Sequence, residues 1–150
     1  MEKENNTCGD CTLCCELLPI AEINKPHSQL CGDCTLKKGC GIYNTRPESC
    51  RNFNCLFIES NDMGELLRPN NCNVIFERIT TKIYLAINHY NDPRAYESEL
   101  VANYIQTLNK SGISVVSTSF TNEPNEFFLA EGHVKEIVWK IIMNEYEKIK

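Results

Sequence analysis

The sequence predicts an α+β protein in two parts. Residues 1–72 form a loop-rich lobe clasped by cysteines and metal, and residues 73–150 form a small antiparallel sheet with two helices; the first part packs on the second as one compact unit. Three observations predict this. All ten cysteines fall in the first 72 residues. That half is interrupted by Gly9, Gly32, Gly39 and Gly41 and has few long periodic stretches. From Asn73 onward the apolar residues follow strand and helix periods.

Taken in order, the first 72 residues are too poor in aliphatic side chains to bury a sizeable core alone. Metal coordination supplies the missing folding free energy, about 10 kcal/mol or more for a structural zinc in small peptides. One short helix is expected there. Arg46-Pro47 sets a proline in its first turn, Asn44 or Thr45 caps it, and it carries Cys50 and Cys55. Val74–Ile79 and Ile83–Asn88 alternate and are β-branched, a hairpin turning near Thr80-Thr81. Leu100, Val101, Tyr104, Ile105 and Leu108 share one helical face that ends near Gly112. Ile113–Phe120 reads as a third strand. Val134, Ile137, Val138, Ile141 and Ile142 mark a last amphipathic helix, with Lys140, Lys148 and Lys150 suiting its carboxyl end. Trp139 is out of register with that stripe, a candidate mark of a partner surface that rests on one aromatic alone.

Composition is globular, 42% apolar and 23% charged, in a chain of 150 residues. The polar amino terminus and the lack of about 18 consecutive apolar residues argue against export and membrane spanning. The expected compartment is the cytoplasm, where structural disulfides are rare, so ten cysteines indicate bound metal. Net charge is −5, with acid in excess in both halves, which disfavours a nucleic-acid or membrane surface as partner. Metal ions are the expected ligands, and a protein partner is left open.

The cysteines fall in patterns. Cys8-Gly9-Asp10-Cys11-Thr12-Leu13 returns letter for letter as Cys31-Gly32-Asp33-Cys34-Thr35-Leu36. A Cys-x-x-Cys turn aims two sulfurs at one centre, and a glycine after the first eases the curl. The 19 residues between Cys11 and Cys31 fit a tetrahedral zinc site built from two such pairs. Cys14, Cys15, Cys40, Cys50 and Cys55 remain, enough for a second four-coordinate centre. Adjacent Cys14 and Cys15 point in different directions, so they serve two centres, or one binds while the other packs or bridges. Cys8, Cys11 and Cys14 also match the first spacings of a ferredoxin iron–sulfur run, but Leu18 precedes Pro19 where that run needs a cysteine. Thiolates suit zinc and iron alike.

The opening Cys8-x-x-Cys11-x-x-Cys14-Cys15, followed by Gly39-Cys40-Gly41-Ile42-Tyr43-Asn44-Thr45-Arg46-Pro47-Glu48-Ser49-Cys50-Arg51, resembles the YkgJ-like cysteine-cluster family, the CxxCxxCC zinc- or iron-chelating domain. The resemblance covers residues 8–55 and extends more weakly through Leu67-Arg68-Pro69. It implies metal chelation by Cys8, Cys11, Cys14, Cys15, Cys31, Cys40 and Cys50. Cys34 and Cys55 are not general in the family; the repeated turn argues for Cys34 as a ligand.

Other residues receive plainer readings. Cys72 is a small buried hydrophobe. His27 is a surface histidine, and His89 and His133 face solvent. Tyr43 packs against its surroundings. Arg46 and Arg51 are candidates to donate to cluster sulfurs or to fix the loop carrying Cys40, because a four-thiolate zinc bears about −2 charge; for Arg46 the plain alternative is an ion pair with Glu48. No Ser–His–Asp set, phosphate-cradling loop or His-Glu-x-x-His motif occurs, so enzymatic chemistry would have to come from the metal. The expected function is metal binding, zinc or iron, with the metal folding the first lobe. The alternative is an iron–sulfur enzyme or electron carrier.

Overall fold

The computed structural model describes residues 11–36, 38–53, 55–60, 63–119 and 124–147. Cys8, Phe120, Lys148 and Lys150 lie outside the described residues. In chain order the elements are α1 (Leu13–Leu17), β1 (Cys34–Thr35), β2 (Gly39–Cys40), α2 (Glu48–Asn52), α3 (Leu56–Glu59), α4 (Pro69–Cys72), β3 (Val74–Thr80) and β4 (Ile83–Asn88). Then come α5 (Glu99–Lys110), β5 (Ser114–Thr118), β6 (Glu126–Phe128) and α6 (Lys135–Glu147). The class is α+β, as predicted. Among the described residues no helix is long and apolar enough to cross a membrane.

β3 and β4 form the predicted hairpin, from Val74 opposite Asn88 to Thr80 opposite Ile83. The sheet is not antiparallel throughout, however. Its order is β3-β4-β5-β6, and β4 runs parallel to β5, with Ile83 beside Ser114 and Ile87 beside Thr118. The reason is the connection: a helix between two strands returns the chain to its starting end, so the next strand runs the same way. β6 closes the sheet antiparallel to β5. Three residues long, it gives no periodic signal in the sequence.

Successive residues of a strand face opposite sides, and β4 is buried along its whole length. Tyr84 and Ala86 enter one core with Val101, Ile105 and Leu108 of α5 and Leu56 and Phe57 of α3. Ile83, Leu85 and Ile87 enter the other with Leu13 and Leu17 of α1 and Val138 and Ile142 of α6. The first 72 residues are therefore richer in apolar anchors than composition suggested. Met63 and Leu67 add to the first core. Among the described residues, the stretch from about Leu18 to Cys50 lacks a deep core, with Ile20, Cys31 and Cys34 as its buried cluster.

α5 starts at Ser98, whose hydroxyl accepts from the Val101 amide, and gives way at Gly112, where φ is +84°. Its buried stripe is Val101, Ile105 and Leu108; Leu100 stands 40% exposed. In α6 only Val138 and Ile142 of the predicted stripe are fully buried, while Val134 and Ile137 are exposed. Trp139 is half-buried and meets Phe127 edge-on, 6.0 Å between ring centroids. Two histidines correct the sequence reading. His133 bonds through Nδ1 to the buried Ser114 hydroxyl, which also accepts from the Ala130 amide. His89 is 12% exposed, and its Nε2 lies 3.2 Å from Glu16 Oε1. Because His89 Nδ1 accepts from the Asn91 amide, Nε2 carries the proton and donates to Glu16, tying α1 to the end of β4.

Buried Asn88 locks the parallel pair. Its Nδ2 donates to Ser117 Oγ at 2.7 Å and the Thr118 carbonyl at 3.0 Å, and its Oδ1 accepts from the Tyr96 amide at 3.0 Å. Asn88→Ala removes all three buried hydrogen bonds, that to the Tyr96 amide included, and is expected to remove about 2 kcal/mol or more from unfolding in urea. Ser117→Ala, which breaks one of the three bonds, should cost clearly less. Equal losses from both would show that the amide acts only through the serine.

Candidate metal centre

α1 is fixed by Leu13 and Leu17, and this places Cys14 and Cys15 at the edge of the sheet-covering layer. The Cys31 amide donates to the Cys15 carbonyl at 2.9 Å, which brings the second Cys-x-x-Cys turn against α1. Within that turn the Cys34 amide donates to the Cys31 carbonyl at 3.1 Å. Gly32 is not needed for the curl: its φ lies outside the left-handed region, and a Cβ there would meet nothing within 4 Å. β1 and β2 then set Cys34 directly opposite Cys40. Gly39, at φ +104°, is the residue that needs its freedom.

α2 brings Cys50 to the same group. It begins at Glu48, directly after Pro47, and ends at Asn52, so Cys55 is not part of it. Its start is held by Glu22, whose Oε1 accepts from the Ser49 amide at 2.9 Å and hydroxyl at 2.7 Å. Those bonds keep the Glu22 carboxyl below its usual range. Arg46 takes one of its two expected roles. Its Nε donates to the Tyr43 carbonyl at 3.0 Å and its guanidinium lies 3.9 Å from the Tyr43 ring centroid, fixing the loop after Cys40. Tyr43 itself is 47% exposed, and Arg51 points to solvent.

The thiols affect one another. Cys15 is driven well below the ordinary thiol range, first by the hydrogen bond from Cys14, with further help from Cys34 and the Lys25 charge, against the effect of burial. Cys34 is pushed up by burial and then by the charge of Cys15, with Cys40 and Cys31 adding to it. Burial also raises Cys50, helped by Cys15, Cys31 and Cys40. Six thiols thus share one neighbourhood: Cys14, Cys15, Cys31, Cys34, Cys40 and Cys50. Among the described residues, no group of three or more Cys, His, Asp or Glu side chains is placed so as to hold a metal ion. The sulfurs are gathered without converging on a common point.

The remaining sequence candidates lie elsewhere. Cys11 packs on the core beneath α1, and Cys55 lies between the two cores. Cys8 is outside the described residues. The fold therefore groups Cys31 and Cys34 with Cys15 and Cys50, not with Cys11 as spacing suggested. Cys72 donates to the carbonyls of Leu67 and Val74, and burial pushes its thiol to about 11. His27 is exposed beside Ser28. Sequence reasoning missed Glu22 as the brace of α2 and Lys25 as a buried cation among the thiols. Burial lowers the pKa of the Lys25 ammonium, and Cys31, Cys15, Cys14 and Cys50 act against that. A lone lysine before a proline carries no signal of such a place.

No family model, curated protein or solved structure matches the chain, so the cysteine-cluster resemblance rests on its motif residues.

Thiol reactivity follows from these environments, since the thiolate is the nucleophile. With chelator and reductant at neutral pH, iodoacetamide is expected to label Cys15 first among the six grouped thiols and Cys72 at least about tenfold more slowly. Peptide mass spectrometry over time reads the order. Equal rates at Cys15 and Cys72 would contradict it.

Proposed function

We propose that this chain is a metal-binding protein that chelates zinc or iron through its cysteine cluster, the ion supplying the folding of the stretch from Leu18 to Cys50. The observation that carries this reading is the gathering of thiols where α1 meets a stretch that, among the described residues, has no deep apolar core: Cys15, Cys31, Cys34 and Cys50 pack together, with Cys14 beside Cys15 and Cys40 opposite Cys34. Soft sulfur donors suit both metals. The ligands we assign are Cys14, Cys15, Cys31, Cys34, Cys40 and Cys50. Six sulfurs are enough for one four-thiolate ion with two to spare, or for two tetrahedral ions sharing two bridging thiolates. Cys15, Cys31, Cys34, Cys40 and Cys50 are free thiols, available as thiolate ligands; we place the protein in the cytoplasm, where thiols stay reduced. Binding includes a closing of the gathered sulfurs around the ion, and it releases their protons.

Anaerobic purification followed by elemental analysis tests this. The expected result is at least one zinc or iron per chain. Chelation should then raise amide exchange over residues 18–50 while β4 and β5 stay protected. Iron accompanied by inorganic sulfide, in a brown protein, would assign the iron–sulfur form. Cys15→Ser and Cys34→Ser should each lower metal content, whereas Cys72→Ser should leave it unchanged. A reduced, air-free protein with no stoichiometric transition metal would overturn the proposal.

A further inference from the structure

A lysine inside a protein needs a compensating partner, because burial strips the ammonium of water. Lys25 is only 8% exposed. A backbone bridge holds it: Ile20 donates to the Lys25 carbonyl at 2.9 Å, and Lys25 donates to the Ile20 carbonyl at 3.0 Å. Ile20 belongs to the buried group that contains Cys31 and Cys34. The Lys25 ammonium donates to the carbonyls of Leu18 and Pro26. Those neutral acceptors satisfy two of its three protons and leave its charge unbalanced. The ion pairs among the described residues join Arg68 to Glu65, Arg78 to Glu59, His89 to Glu16 and Arg94 to Glu97; none includes Lys25. Among the described residues, Cys31, Cys15, Cys14 and Cys50 are near enough for their charge to act on it when they ionise.

The geometry points to Lys25 as the counter-ion of the thiolate centre, a positioning residue that makes an anionic, all-sulfur coordination sphere tolerable in this buried place. The inference rests on the metal-binding reading above and deepens it. Four thiolates on a divalent ion leave about −2 of net charge, and one fixed ammonium offsets half of it. The centre so served is a thiolate centre with excess negative charge. A neutral site of two thiolates and two imidazoles would gain nothing from the lysine. Of the cations nearest the motif in sequence, Arg51 is exposed, and Arg46, stacked on Tyr43, adds a lesser favourable charge at Cys50.

The test compares the full chain with Lys25→Arg, Lys25→Gln and Lys25→Met, reduced and air-free, titrated with zinc and with cobalt against a competing chelator. Glutamine keeps an N–H donor for the two carbonyls but no charge; arginine keeps both. Lys25→Arg is expected to retain most of the affinity. Lys25→Gln and Lys25→Met should bind about 10- to 100-fold more weakly, the usual effect of losing an outer-shell partner, with weaker sulfur-to-cobalt charge-transfer bands. Melting of each metal-free variant shows whether the fold itself has suffered. Wild-type affinity in Lys25→Gln, or a loss in Lys25→Arg as large as in Lys25→Gln, would overturn the counter-ion role and leave the metal reading standing. A wild-type chain that takes up neither ion would instead overturn the metal reading, and this inference with it.

Discussion

The architecture depends on a central pair of strands with two apolar faces. β4 and β5 are buried on both sides, so the sheet must be covered twice. α5 and α3 cover one face, and α1 and α6 cover the other. α1 is only five residues long, yet its Leu13 and Leu17 are almost wholly buried. Those two leucines fix where the cysteine-rich stretch leaves the scaffold. The positions of Cys14 and Cys15 are thus a consequence of sheet coverage, and the bond from His89 to Glu16 adds a polar tie to the same helix.

This arrangement explains why the second half was legible and the first half only partly so. The β3–β4 hairpin, α5, β5 and α6 have enough residues for periodicity to emerge, and their boundaries fall close to the predicted ones. The parallel pairing was implicit in a strand–helix–strand order, but hairpin signals on either side drew the reading toward antiparallel. β1, β2 and β6 have two or three residues each, too few for any pattern. His89 and His133 were misjudged because their polar partners, Glu16 and Ser114, lie 73 and 19 residues away.

The repeated hexapeptide shows the limit most clearly. Its first copy ends on Leu13, which starts a helix and is 2% exposed; its second ends on Leu36, which lies in a turn and is 51% exposed. At this described position the same letter meets different surroundings, and tertiary context decides. Spacing marked the cysteines as candidates. It did not foresee that α1 would carry Cys15 toward Cys31 while leaving Cys11 on the sheet side. Lys25 was invisible for the same reason, since its burial comes from a bridge to Ile20 that no local pattern announces.

The two-residue ladder of β1 and β2 has a consequence of its own. Cys34 and Cys40 face each other across it, and side chains so placed have Cβ atoms about 5 Å apart. Backbone hydrogen bonds, not the sulfurs, maintain that separation. Under the proposed metal-binding role the hairpin would act as a bidentate claw: whatever grips one of its two prongs would find the other alongside, with the entropy of pairing them already lost when the chain folded.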